Sequence, residues 1–383
     1  MKLKTSFYFK NSFVLFACLS LATSCKKNAE GSQEKDLKIT KNLIGVSPKG
    51  VVKAAPEISG WYNDGWDTES HTVYMNNNTK FSVVNPYWYN LGTSDAAPGK
   101  SVTNGSIYER TYAYNATEIA QIHANGDLVI PTIADMAQGQ INTIFSNPTS
   151  RANLITNLVN KAVQRGYDGW DLNFELGNET GKALYTAFVN DLADALAVQG
   201  KVLDITTGAF ETTLKESYWI FDLDGLKTCK ARRIKIMAYD QNLGPNGQVG
   251  AVADINWVKD VLDYMVVNRG LPAGKVMLGI ANYGWVYKQI GGVYTLQQPF
   301  RPYTYITAQP GFQTWWDNNY KENYAEWTTG GSNFLAYYNN ATSVSARLDL
   351  VTQYGLAGAA FWVLGREDQN IYPALALKFP GNR

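Results

Sequence analysis

Asp171, Asn173 and Glu175 recur at every second position of the stretch Tyr167-Asp168-Gly169-Trp170-Asp171-Leu172-Asn173-Phe174-Glu175. Alternation with period two reads as a strand with two faces. Two acids and an amide lie on one face, and Trp170, Leu172 and Phe174 on the other. Three such polar groups in a row are costly to bury without hydrogen bonds or a chemical task. A carboxylic acid at the end of a strand can protonate a leaving oxygen. Groups with matching chemistry end other apolar stretches: Tyr239 and Asp240 close Ile236-Met237-Ala238-Tyr239-Asp240, Asn85, Asp135 and Tyr283 end three more, and Trp362 sits near the end of the last. An acid, a phenol and an indole converging on one mouth would suit a sugar, because the indole can stack on a pyranose face. Each group also has a plain structural reading. The polar face could be a solvated edge strand, and Trp362 could be core.

The elements that would position these groups alternate along the chain. Strands are expected at 58–62, 81–88, 128–133, 169–175, 202–208, 234–239, 276–283 and 357–363. Between them lie amphipathic helices. One starts at Asn147 and Pro148, carries Leu154, Leu158 and Ala162, and stops at Gly166. A second carries Leu184, Phe188, Leu192 and Leu196 before Gly200. A third is capped by Asp254, carries Val258, Leu262 and Met265, and ends before Gly270. Eight strands with interleaved helices predict an α/β fold, a parallel sheet closed into a (β/α)8 TIM barrel, whose catalytic groups belong at the carboxyl ends of the strands. The aromatic-rich stretch at about 286–340 reads as a small insertion at the mouth, between strands 7 and 8.

The 383 residues carry a formal charge of +1, which gives no support to a nucleic-acid partner. His71 and His123 are the only two histidines, and they show no metal-ligand spacing, so neither a metal nor a cofactor is expected. The Gly-rich run 244–250 lacks a dinucleotide pattern and reads as a turn. At the start, Lys2, Lys4 and Lys10 precede a short apolar run and then Ala22-Thr23-Ser24-Cys25. The run is too short to span a bilayer. It resembles a bacterial lipoprotein signal over 1–24, with acylation of Cys25 and a lipid anchor to a bacterial membrane; an ordinary secretory signal is the alternative. Residues 25–55 are polar and read as a flexible tether, leaving 56–383 for the barrel. After cleavage Cys25 and Cys229 would remain, and lipidation of the first would leave no intramolecular disulfide.

The octet Asp168-Gly169-Trp170-Asp171-Leu172-Asn173-Phe174-Glu175 resembles the D-G-x-D-x-D-x-E signature of family 18 glycoside hydrolases, the chitinase family. Met237-Ala238-Tyr239-Asp240 is similar to the family's sixth-strand M-x-Y-D. The run from Lys275 to Gly284 is similar to its seventh strand, and Gly358-Ala359-Ala360-Phe361-Trp362 with Gly365-Arg366-Glu367-Asp368 to its eighth. The spore-cortex-lytic N-acetylglucosaminidases are the branch nearest in character. The resemblance implies an oligo- or polysaccharide substrate and a substrate-assisted, retaining hydrolysis. Glu175 would be the acid/base and Tyr239 would bond the acetamide carbonyl. Asp171 would tune the charge of the residue at 173, Asp240 would bind sugar hydroxyls, and Trp362 would floor the subsite before the scissile bond. Asn173 departs from the family's usual Asp and brings no negative charge, which predicts attenuated activity. It also leaves open a non-catalytic glycan-binding lipoprotein on the same barrel, or a glycosidase for a sugar lacking an acetamide.

Overall fold

The alternating stretch forms the fourth of eight parallel strands. The computed structural model describes residues 56–63, 69–92, 102–111, 114–135, 137–242 and 248–380. The signal, Cys25 and the tether expected above lie outside the described residues. In chain order the barrel strands are Glu57–Tyr62, Val83–Leu91, Thr132–Ala134, Gly169–Asn173, Val202–Thr207, Arg233–Ile236, Val276–Ala281 and Gly358–Trp362. Each pairs in parallel with the next, and the first pairs with both the second and the eighth, so the sheet closes as a (β/α)8 barrel.

Helices cover the outer face because each carries one apolar stripe. In Pro148–Arg165 the Asn147 side chain accepts from the backbone N–H of Ser150, and Gly166 terminates the helix at φ 74°. Leu154, Leu158 and Ala162 are buried against Trp170, Leu172 and Phe174 in one continuous core, and the Trp170 indole donates to the Leu158 carbonyl at 2.8 Å. Lys182–Ala197 buries Phe188, Leu192 and Leu196. Asp254 caps Ile255–Leu262 by accepting from the Asn256 N–H. With the outer face apolar, the polar residues of the strands turn into the barrel. The register levels Thr132 with Asp171, Asp171 with Asp204, and Thr206 with Lys235.

Several strands end earlier than the sequence suggests. The fourth stops at Asn173, the sixth at Ile236 and the seventh at Ala281, so Glu175, Tyr239, Asp240 and Tyr283 stand on the loops just beyond. Asp240 has φ 59°, a left-handed conformation that strand pairing does not tolerate. The second strand errs the other way. It runs on to Leu91, which makes Asn85 its third residue rather than its end. The third strand is split into Leu128–Val129 and Thr132–Ala134, with Pro131 in the break, where a ladder donor is missing.

Between the seventh and eighth strands the chain builds a five-stranded antiparallel sheet, in the spatial order Val293–Arg301, Gly284–Ile290, Ser332–Tyr338, Glu322–Thr329, Gln313–Asp317. One buried ion pair ties this sheet to the barrel. Arg347, on the helix Ala341–Gln353, meets Glu322 at 2.9 Å. It also donates to the carbonyls of Ser343 at 2.9 Å, Lys321 at 3.0 Å and Ala253. Glu322 in turn accepts from the N–H groups of Val252 at 2.7 Å and Ala253 at 3.2 Å. Arg347→Leu leaves Glu322 buried without its cation. It should therefore cost about 3–5 kcal/mol, read as a lowered midpoint in denaturant; an unchanged midpoint would show that the sheet is held by other contacts.

Candidate active site

Asp171 lies at the centre of the barrel and is fully buried. Four barrel strands supply its partners. Its Oδ2 accepts from the Trp61 indole N–H at 2.9 Å and the Thr132 hydroxyl at 2.8 Å. Its Oδ1 accepts from the Thr206 hydroxyl at 3.0 Å and lies 3.2 Å from the Lys235 ammonium. Three hydrogen bonds and one ion pair thus engage the carboxylate. The carboxylate is a fixed anion beneath the mouth, and Asn173 turns away from it.

Asn173 donates through Nδ2 to Glu175 Oε1 at 2.8 Å, while its own Oδ1 is buried and unpartnered among the described residues. Glu175 is exposed at the open mouth, yet the surrounding walls displace water from its carboxyl and push its pKa above the ordinary value, against the pull of the Asn173 bond. A raised pKa keeps the proton that a general acid must deliver. Asp135, at the end of the third strand, fixes the Glu175 backbone. It accepts from the N–H groups of Glu175 at 2.9 Å and Leu176 at 2.8 Å. Burial pushes Asp135 up to about 7 and the charge of Glu175 adds to this, while the two N–H bonds oppose it.

Across the mouth, the Tyr283 hydroxyl donates to Asp240 Oδ1 at 2.7 Å. Burial pushes Asp240 up to about 7. The Tyr283 bond opposes that push, and the charges of Glu175 and Glu322 add to it. The Tyr239 backbone N–H donates to the Met237 carbonyl at 2.9 Å, while its hydroxyl makes no hydrogen bond among the described residues. Burial, then the negative charges of Asp240, Glu175 and Asp171, hold its phenol far above the usual value, so it remains a donor. A Cβ on Gly279 would lie 2.4 Å from the Ile236 carbonyl and 3.0 Å from the Tyr239 ring, so only glycine leaves room for this phenol. Trp362 is half-buried, with its ring 6.1 Å from that of Trp61 at 76°. The structure thus brings Asp171, Asn173, Glu175, Tyr239, Asp240, Tyr283 and Trp362 around one end of the barrel. Asn85 is fully buried in the barrel wall, where it donates to the Ile130 carbonyl at 2.7 Å. The sequence reading assigned no role to Trp61, Thr132, Thr206 or Lys235. The signal was present: each is a polar or indole-bearing residue within an apolar strand of a barrel whose outer face is already filled.

The closed barrel and the groups at its carboxyl end define a protein of the glycoside hydrolase class. The family model for glycosyl hydrolases family 18 matches residues 104–367, and the chain belongs to that family. It is 25% identical over 335 residues to "Uncharacterized glycosylase YvbX" of Bacillus subtilis, covering 85% of this chain and 92% of the relative. It is 24% identical over 345 residues to the "Putative sporulation-specific glycosylase YdhD" of the same organism, covering 84% and 77%. Among solved structures, a chitinase from Chromobacterium violaceum superposes with a TM-score of 0.71 at 22% identity, over 85% of this chain and 99% of that one. The Bacillus cereus spore cortex-lytic enzyme SleL gives 0.71 at 17%, over 85% and 74%. At these identities the two structures share the fold.

Glu175→Gln removes one proton at almost constant volume. Turnover of a glycan substrate should fall by roughly 10²–10⁴-fold while the protein stays folded. In the parent, kcat/KM should hold at low pH and decline as pH rises through the Glu175 pKa, because the protonated form is the active one. That alkaline limb should vanish in the variant's residual rate. A Gln variant with parental turnover would exclude Glu175 as the acid.

Proposed function

We propose that this protein hydrolyses β-glycosidic bonds in N-acetylglucosamine-containing glycans, with the substrate's own acetamide as nucleophile and with retention at the anomeric carbon. The observation that carries this reading is an unused pair of groups beside the acid. The Tyr239 hydroxyl makes no hydrogen bond among the described residues, and the buried Asn173 Oδ1 has no partner among them. A donor and an acceptor left open beside Glu175 match the carbonyl and the N–H of an acetamide. The Tyr239 hydroxyl would turn the acetamide oxygen toward the anomeric carbon, and Asn173 would hold its N–H. Glu175 would deliver its proton to the glycosidic oxygen as the C–O bond breaks and the acetamide oxygen bonds the anomeric carbon. Glu175, now a carboxylate, would then take a proton from the water that attacks the anomeric carbon on the face the leaving group vacated, breaking the bond to the acetamide oxygen. The nearby carboxylates are otherwise engaged, Asp135 by two backbone N–H groups and Asp240 by Tyr283, which favours a substrate nucleophile over a protein one. Asp240 would bind sugar hydroxyls and Trp362 would carry the sugar ring. The neutral amide at 173 gives the oxazolinium less charge compensation than a carboxylate would, so we infer a slow enzyme.

A β-linked chitobioside or longer oligomer with a reporter leaving group tests this reading. Proton NMR of the first products should show the β-anomer. An initial α-anomer would overturn the substrate-assisted route, and tight binding without turnover would favour a glycan-binding protein on the same barrel.

We also propose export and a lipid anchor at Cys25, supported by the basic, apolar, Ala22-Thr23-Ser24-Cys25 order. Cys25→Ser should move the protein from the detergent phase to the aqueous phase. Equal aqueous partitioning of both forms would indicate a simple secreted protein.

A further inference from the structure

Lys235 is a fully buried cation in the middle of a barrel strand, flanked by Ile234 and Ile236. Its ammonium lies 3.2 Å from Asp171 Oδ1 and 3.5 Å from Asp204 Oδ2, and it sits 5.2 Å from the centre of the Trp61 ring. It is at ion-pair distance from both carboxylates and aligned for a hydrogen bond with neither. Asp204 is also held by Arg232, whose Nε and Nη2 donate at 2.9 and 2.7 Å. Arg232 meets Glu57 at 2.6 Å, and Arg233 meets the same carboxylate at 3.0 Å. Charges therefore alternate through the barrel, from Glu57 at the start of the first strand through Arg232, Asp204 and Lys235 to Asp171. The last anion stands directly beneath Asn173 and Glu175.

We propose that Lys235 is a positioning residue for the hydrolysis, setting through Asp171 the orientation of Asn173 and the electrostatic field at Glu175. This rests on the reading of Glu175 as the acid. Asp171 is balanced by Lys235 and engaged by Thr206, Trp61 and Thr132, so it does not draw on the Asn173 amide. That amide turns to Glu175 and leaves its carbonyl open. Without the ammonium, an unbalanced negative charge would lie four residues before Glu175, beneath the mouth, and would favour the protonated acid. The other charged or titratable groups around Glu175 are Asp135, Asp240 and Tyr239, and none of them touches Lys235.

The test follows the Glu175 carboxyl directly, by ¹³C NMR of the full chain labelled at Glu Cδ, with the resonance assigned by its loss in Glu175→Gln. Lys235→Met keeps the length of the side chain and removes its charge. It should move the Glu175 midpoint to higher pH. Where turnover is measurable, it should lower kcat by up to about 100-fold with little change in KM. The paired variant Asp171→Asn with Lys235→Met removes both charges and should return the midpoint to the parental value. A folded Lys235→Met protein with the parental midpoint overturns the proposal, as does a paired variant whose midpoint stays high. If Lys235→Met does not fold, Lys235→Gln takes its place: a midpoint above that of the paired variant supports the role, and an equal one refutes it. A parent that turns over no glycan refutes the proposed function, while the NMR midpoints still decide the role of Lys235.

Discussion

The carboxylate of Asp171 is the point on which the arrangement depends. A buried anion is tolerable only when its oxygens are satisfied, and here the first, third, fifth and sixth strands each supply a partner. Those four contacts hold the strands in register around the barrel axis as well as holding the anion. Asn173 ends the same strand and Glu175 stands just beyond it, so their positions are inherited from the anchor beneath them. The barrel interior is commonly filled by branched aliphatic side chains. In this chain part of that volume is occupied by alternating charge, which trades apolar packing for directional contacts.

The other half of the mouth is built differently. Tyr239 and Asp240 stand on a loop made possible by the left-handed backbone at Asp240 and by the bare Cα of Gly279. Tyr283 reaches Asp240 from the loop that leads into the antiparallel sheet. Trp285, Tyr287 and Leu335 of that sheet pack with Tyr283 in one cluster, against which Trp362 and Tyr239 also lie. The sheet is therefore the back wall of the sugar-facing side, and the Glu322–Arg347 pair fixes where that wall stands.

Much of this was legible in the residues. Period-two alternation at 169–175 separated the outer face from the inner one, and the caps at Asn147 and Gly166 marked a helix whose termini the structure reproduces. The limits have physical causes. Sequence pattern extended the fourth, sixth and seventh strands too far, because apolar character continues into loops that pack at the mouth while their hydrogen bonds leave the ladder. Asn85 read as a group at the mouth end of the second strand, yet the strand begins at Val83 and runs on to Leu91, which leaves Asn85 near its start. The charged ladder was missed because its members are dispersed: Glu57, Asp204 and Lys235 on three strands and Arg232 just before the last of these. Their pairing depends on register, which a single sequence does not state.

Closure of the barrel joins the two most distant parts of the folded chain, since Glu57 pairs with Gly358 and Gly60 with Phe361. Until the last strand arrives, the first and seventh strands each present an unpaired edge, and the insertion sheet must be completed in between. Such long-range pairing raises the contact order and slows folding. It also exposes two open sheet edges, which are templates for association with other chains. Trp61 and Trp362 meet across that final seam. The indole that would carry the sugar is thus also the signal that the barrel has closed, and a chain cut short of Trp362 has neither a complete sheet nor a floor to its site.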